Sequence, residues 1–138
     1  MVALTASRNT PERTGEVFDF GVRANVRCFQ GALAVLNGGY AAPGTAATGL
    51  VAIGRFEAEA NNTGGAAGAM TARVKRGIFR FANSAAADLI SAANVGADCF
   101  IVNDQTVALT NGTNTRSRAG RIVAVDGSGV WVQIGLGW

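Results

Sequence analysis

Apolar residues recur at every second position in short runs broken by Gly, Asn and Asp, a period-2 pattern that predicts strands rather than helices. Glu16-Val-Phe-Asp-Phe places Phe18 and Phe20 on one face and Asp19 on the other. Arg23 to Phe29 reads as a second strand. Gly31-Ala-Leu-Ala-Val-Leu then meets Asn37-Gly38-Gly39-Tyr40, a hairpin signal because both turn residues must accept positive φ. Tyr40 opens a short return that Pro43-Gly44 ends. Gly49 to Glu59 predicts a strand buried on both faces at its apolar start and wet on one face at Arg55, Glu57 and Glu59. Asn61 to Gly68 reads as a flexible connector, since its glycines lack the Lys and Ser/Thr spacing of a phosphate loop. Cys99 to Asn103, Thr106 to Thr110, Gly120 to Asp126 and Val130 to Ile134 complete the strands. The last two flank Asp126-Gly-Ser-Gly as a closing hairpin, with Val130, Val132 and Ile134 on one face and Trp131 and Gln133 on the other.

Ala72 to Asn83 carries the densest strand signal and a fault in it. Val74 alternates with Arg73 and Lys75, but strict continuation would bury Arg76 and Arg80 and expose Phe79 and Phe81. Skipping one residue at Arg76-Gly77 repairs the phase, so the pattern predicts a bulge at Gly77 within the central strand of a strongly curved β-domain.

Asn83 to Val95 is the single helical candidate, with Ser84 as cap and Gly96 as stop, and its length predicts one or two turns. Residues 1–15 predict an extended arm, because Val2 and Leu4 are apolar groups that a purely solvated tail does not need. Residues 16–138 predict one β-rich domain, and no internal repeat stands out. The expected class is therefore mainly β: a small single-domain β-barrel or β-sandwich-like fold with one short helix and an extended N-terminal arm.

Composition narrows the picture. The 138 residues include 19 glycines but only Pro11 and Pro43, which suits short strands and tight turns. No apolar run nears the roughly 20 residues that span a bilayer, and Met1 to Arg8 lacks the basic and apolar regions of a signal peptide. No membrane partner is expected. Cys28 and Cys99 sit far apart among apolar residues and predict two buried, reduced thiols, although spacing alone leaves a disulfide open. The net charge of +3 rests on eleven arginines against one lysine, too small a bias to argue for direct nucleic-acid binding. Arg116-Ser-Arg-Ala-Gly-Arg and the Arg73 to Arg80 stretch make a basic face or, more simply, charged strand edges.

Catalytic chemistry is thin. The chain contains no histidine, the commonest general base and metal ligand. Two separated cysteines make no Cys-x-x-Cys site, and Glu57 and Glu59 read as solvated acids. No catalytic residue, cofactor or metal is expected, and the function is expected to reside in the surface.

Several stretches, in order, resemble those of a known family. The Thr5-Ala-Ser-Arg-Asn-Thr-Pro start, Gly31-Ala-Leu-Ala-Val-Leu-Asn, Ala47-Thr-Gly-Leu-Val-Ala-Ile-Gly-Arg-Phe and Gly77-Ile-Phe-Arg-Phe come first. Val95-Gly-Ala-Asp-Cys-Phe-Ile-Val-Asn-Asp-Gln-Thr-Val and Ala119-Gly-Arg-Ile-Val-Ala-Val-Asp-Gly-Ser-Gly-Val-Trp-Val follow. Together they resemble tailed-bacteriophage capsid decoration (cement) proteins. The resemblance implies a small β-barrel-like protein, made in the bacterial cytoplasm, that binds the virion exterior and secures neighbouring copies of the major capsid protein. It also implies self-association, commonly as a homotrimer. The residues expected at such interfaces are Val2, Leu4, Arg8 and Arg13 of the arm, Arg73, Arg80, Arg116 and Arg118, and Trp138. A tail-fibre or carbohydrate-binding adhesion module is the alternative, with Trp131, Trp138 and Tyr40 as its available aromatics.

Overall fold

The computed structural model describes residues 2–13 and 15–138; Met1 and Thr14 of the expected arm lie outside the described residues. The first sheet contains β1 (Val17–Gly21), β3 (Leu33–Asn37), β4 (Tyr40–Pro43), β5 (Val51–Phe56) and β7 (Thr71–Lys75), ordered β1-β7-β5-β3-β4. The second contains β8 (Gly77–Phe81), β9 (Asp98–Ile101), β10 (Val107–Ala108), β11 (Arg118–Asp126) and β12 (Gly129–Ile134), ordered β8-β12-β11-β9-β10. A two-stranded ribbon joins β2 (Arg27–Cys28) to β6 (Ala60–Asn61). The mainly β expectation holds. No helix among the described residues is long and apolar enough to cross a membrane.

The two sheets have the same connectivity, strand for strand, with β1, β3, β4, β5 and β7 matching β8, β9, β10, β11 and β12. Register extends the match to residues. Gly54 faces Ala34 and Arg55 faces Lys75 in the first half, and Gly120 faces Cys99 and Arg121 faces Gln133 in the second. In each half a bulge leaves one residue unpaired immediately before that glycine, Ile53 or Ala119. Each sheet also curls until its outer strands meet through a parallel bridge, Val22 to Ala41 and Ala82 to Thr106. The chain is thus an internal structural duplication, which the sequence pattern did not reveal. Its sequence trace is short: Val17-Phe-Asp-Phe against Ile78-Phe-Arg-Phe, and Ile53-Gly-Arg-Phe against Ala119-Gly-Arg-Ile.

The duplication corrects the reading of Ala72 to Asn83. This stretch is the last strand of the first half (β7) and the first strand of the second (β8), with the chain changing sheets at Arg76. Gly77 pairs regularly with Ile134, so it is no bulge, and β8 is an edge strand rather than a central one. The inferred phase change is present all the same. Val74 is buried in the first core, while Phe81 is buried in the second and Phe79 packs against it. A sheet change and a bulge leave the same mark on parity.

Two cores follow from two curled sheets. One gathers Val22, Cys28, Ala34, Ile53, Phe56, Ala72 and Val74, and the other Phe81, Ile90, Cys99, Ile101, Ile122, Val130, Val132 and Ile134. Burying one such Phe or Ile contributes about 1.5–3 kcal/mol. The second core extends onto the first half through Leu33, Val35 and Ala42, which joins the halves. The register counterparts of Leu33, Val35 and Ala52 in the second half are Asp98, Phe100 and Arg118. There the same sheet face meets solvent, and Arg118 Nε pairs with Asp98 Oδ1 at 2.8 Å. Like a capping repeat, the second half carries charge where the first carries a docking face.

The expected helix is replaced by two single 3-10 turns, Ala86–Asp88 and Ala92–Asn94. Ala86 has φ of 54°, incompatible with a continuous helix. Asn83 straps the segment instead: its Nδ2 donates to Ile90 O at 2.8 Å and its Oδ1 accepts from Ile90 N at 3.0 Å, holding Ile90 in the core. Ser84 does not cap a helix, because its hydroxyl donates to Val107 O. The Arg23 to Phe29 strand shortens to Arg27–Cys28. The Asn61 to Gly68 connector is tied down by buried Asn62, whose Nδ2 donates to Arg23 O and Ala66 O, both at 3.0 Å.

Cys28 and Cys99 are buried and unbridged, one in each core, as expected. Burial raises the Cys28 thiol from 9.0 to about 11 and the Cys99 thiol from 9.0 to about 12. Both thiols keep their protons in the folded state at a pH where the unfolded chain releases them, so their contribution to stability is complete below pH 9 and declines above it. Iodoacetamide at neutral pH is expected to label neither in the native protein and both after unfolding, and the melting temperature is expected to fall as pH rises past 9. Rapid labelling of the native protein would contradict this.

Candidate interaction surface

Seven of the nine expected interface residues fall into three places, and Arg73 and Arg116 are engaged elsewhere in ion pairs. The arm, residues 2–13, forms no strand and is exposed along its described length, with Val2 93% and Leu4 69% accessible. Arg13, at its inner end, lays its guanidinium over the Phe18 ring, 5.6 Å from the centroid. Arg8 stays exposed.

A second place surrounds Trp138. The tail is pinned, with Leu136 N donating to Ala52 O at 3.1 Å and Arg118 Nη1 donating to Trp138 O at 2.5 Å. Arg76, at the junction of the halves, stacks its guanidinium on the Trp138 indole at 4.1 Å. Arg76 Nε is buried without a hydrogen-bond partner among the described residues, and the aromatic face offsets part of that desolvation. Trp138 therefore seals the junction between the halves and remains 37% exposed.

The third place is a groove of about 560 Å³ along β8, lined by Gly31, Arg55, Lys75, Ile78, Phe79, Arg80, Phe81 and Trp131. Arg55 stacks on Phe79 at 4.3 Å and is paired with Glu57 Oε1 at 2.7 Å. Arg80 stands 5.7 Å from the Trp131 ring, opposite it in register. Asp126 accepts from Trp131 Nε1 at 2.9 Å, and this bond, the Ser128 and Gly129 amides and the Arg80 charge hold its carboxyl below the usual range.

The remaining cations are already engaged. Arg73 pairs with Asp19 across β1 and β7 at 3.3 Å, a solvated pair of small worth. Arg116 pairs with Asp88 at 3.2 Å and is only 18% exposed. Thr110 Oγ1 donates to Asp88 Oδ1, and that bond first, then Arg116, lowers the Asp88 carboxyl. Arg116 thus acts as an internal tie rather than as a free surface cation. Tyr40, Trp131 and Trp138 make no aromatic pair with one another among the described residues.

Arg55, Lys75 and Phe79 as groove residues escaped the sequence reading. Their parity was legible, but their meeting depends on the change of sheet at Arg76. No family model, curated protein or solved structure matches this chain.

Proposed function

We propose that the protein is a non-enzymatic structural component that binds the outer surface of a phage head and secures neighbouring capsid subunits. The exposed arm carries this reading. Val2 stands almost fully and Leu4 largely in water on a segment with no strand partner among the described residues, next to Arg8 and Arg13. Apolar groups on a solvated extension lose their unfavourable hydration when the extension lies on a second protein, and its free backbone can add to a neighbouring sheet edge. The short stretches that resemble decoration proteins support the major capsid protein of an assembled shell as the neighbour. A self-associating clamp, in the usual case a homotrimer, engages several subunits at once and gains by avidity.

Deleting residues 2–13 is expected to leave the melting temperature of the isolated protein nearly unchanged, since these residues pack into neither core. The same deletion is expected to weaken co-sedimentation with empty heads by about tenfold or more. Equal retention of the truncated and full-length chains on heads would overturn the role of the arm, and failure of the full-length chain to bind any head would overturn the capsid reading.

A further inference from the structure

We propose that the groove along the free edge of β8 receives an acidic, extended peptide segment of a partner protein, which adds to the second sheet as a strand. The proposal stands on the groove alone and does not depend on the capsid reading.

The backbone decides which groups are available. In a strand the N–H and C=O of one residue point to the same side, and those of the next residue to the other. Ala82 directs both away from β12, accepting from Val107 N at 3.0 Å and donating to Gln105 O at 2.8 Å. By alternation Phe79 and Phe81 bond to β12, while Ile78 and Arg80 direct their N–H and C=O groups out of the sheet edge. Those groups have no partner among the described residues. The groove that Ile78 and Arg80 line along this edge is completed by Gly31, Arg55 and Lys75 of the first half. Ile78 is 50% exposed, an apolar side chain on an unpaired edge, the arrangement that soluble proteins ordinarily protect.

Charge decides the occupant. Lys75 and Arg80 have no ion-pair partner among the described residues and no acid lines the groove; of the acids beside it, Glu57 is paired with Arg55, and Asp126, bonded to Trp131 Nε1, feels Arg80 only beyond ion-pair distance. The protein's own arm is excluded by sign, since it brings Arg8 and Arg13 against Glu12. The register counterpart of Arg80 in the first half is Asp19, so the equivalent edge of β1 lacks this positive charge. A nucleic-acid strand fits less well. Its phosphates only accept hydrogen bonds and leave the Ile78 and Arg80 carbonyls unpaired, and the Phe79 face on which a base would stack is covered by Arg55. A peptide satisfies donors and acceptors together, and its acidic side chains meet Lys75 and Arg80.

Fluorescence anisotropy tests this with a labelled hexapeptide of alternating Glu and Val and the full-length protein. Saturable binding is expected, weakened about tenfold by Lys75→Gln combined with Arg80→Gln. The same peptide N-methylated at every amide keeps its charge but offers no N–H on either edge, so it and a peptide with Gln in place of Glu are both expected to bind about tenfold more weakly. An oligothymidylate competitor is expected not to displace the acidic peptide. No saturable binding, undiminished binding of the N-methylated peptide, or displacement by the oligonucleotide at equal concentration would each overturn the proposal. The N-methylated arm uses the unmutated protein and keeps the test decisive even where the double variant folds poorly.

Discussion

Gly54→Ala is expected to remove about 3 kcal/mol or more of folding stability, close to the upper end for a single substitution. Gly54 sits at the β5 bulge with φ of 144°, a conformation that side-chain-bearing residues rarely adopt. A Cβ there would drive into the Lys75 carbonyl oxygen of the neighbouring strand, backbone that cannot step aside without breaking the β5–β7 pairing. Gly120 occupies the same place in the second half, where a Cβ would meet the Gln133 carbonyl oxygen. Gly120→Ala is therefore expected to cost a similar amount. Gly127, in the β11–β12 turn with open space around it, serves as the control, and Gly127→Ala is expected to fall within about 0.5 kcal/mol of wild type. Chemical denaturation of the three variants measures the contrast. Equal midpoints for Gly54→Ala and Gly127→Ala would refute the bulge geometry.

Phe56→Ala is expected to cost about 3–5 kcal/mol, the range for emptying a fully buried aromatic site. Phe56 is 0% exposed in the first core, and its counterpart Ile122 is 1% exposed in the second. The more telling outcome concerns coupling between the halves. Trp131 lies on the second half and Trp138 at the junction of the halves, whereas Phe56 lies in the first. Leu33, Val35 and Ala42 extend from the first half into the second core, and Arg76 is clamped beneath Trp138. Loss of the first core is thus expected to remove support from the second. In Phe56→Ala the tryptophan-fluorescence and circular-dichroism transitions are expected to shift together to lower denaturant. A fluorescence transition that stays in place while circular dichroism splits into two steps would show halves that fold independently.

The surface divides in the same way as the cores. The arm presents apolar groups on a free extension, and the β8 groove presents unpaired backbone flanked by cations. In the roles proposed above, the arm would offer a strand and the groove would accept one. The charge of the groove separates the two roles, since a cationic arm is repelled from a cationic groove.

Strand positions were legible because the side-chain period of a strand is a local property. The alternations at Phe18/Phe20 and Val130/Val132/Ile134, and the turns at Gly38-Gly39 and Asp126-Gly-Ser-Gly, need only a few residues to declare themselves. The burial of Cys28 and Cys99 followed from their neighbours in the same way. Local pattern misled where a competing hydrogen bond was long-range. Ser84 and the alanines after it have the composition of a short helix, but Asn83 reaches Ile90 and Ser84 reaches Val107, and those bonds hold the segment in separate turns.

By itself the sequence determined the β class, most strand spans, most inward faces (Val51, expected buried, is exposed) and the phase change at Arg76, because each rests on alternation between adjacent residues. The tertiary structure decided how that phase change is realised. A skipped residue within one strand and a passage from one sheet to the next reverse the faces identically, and only the pairing partners, β5 for β7 and β12 for β8, tell them apart. It also decided the duplication, since the halves share register, bulge position and parity while keeping few identical side chains. The β8 groove arises from that same passage, which turns an apparent central strand into an edge and brings Arg55 and Lys75 across from Arg80. Register and edge status are relations between distant strands, and the period of a single strand carries no information about them.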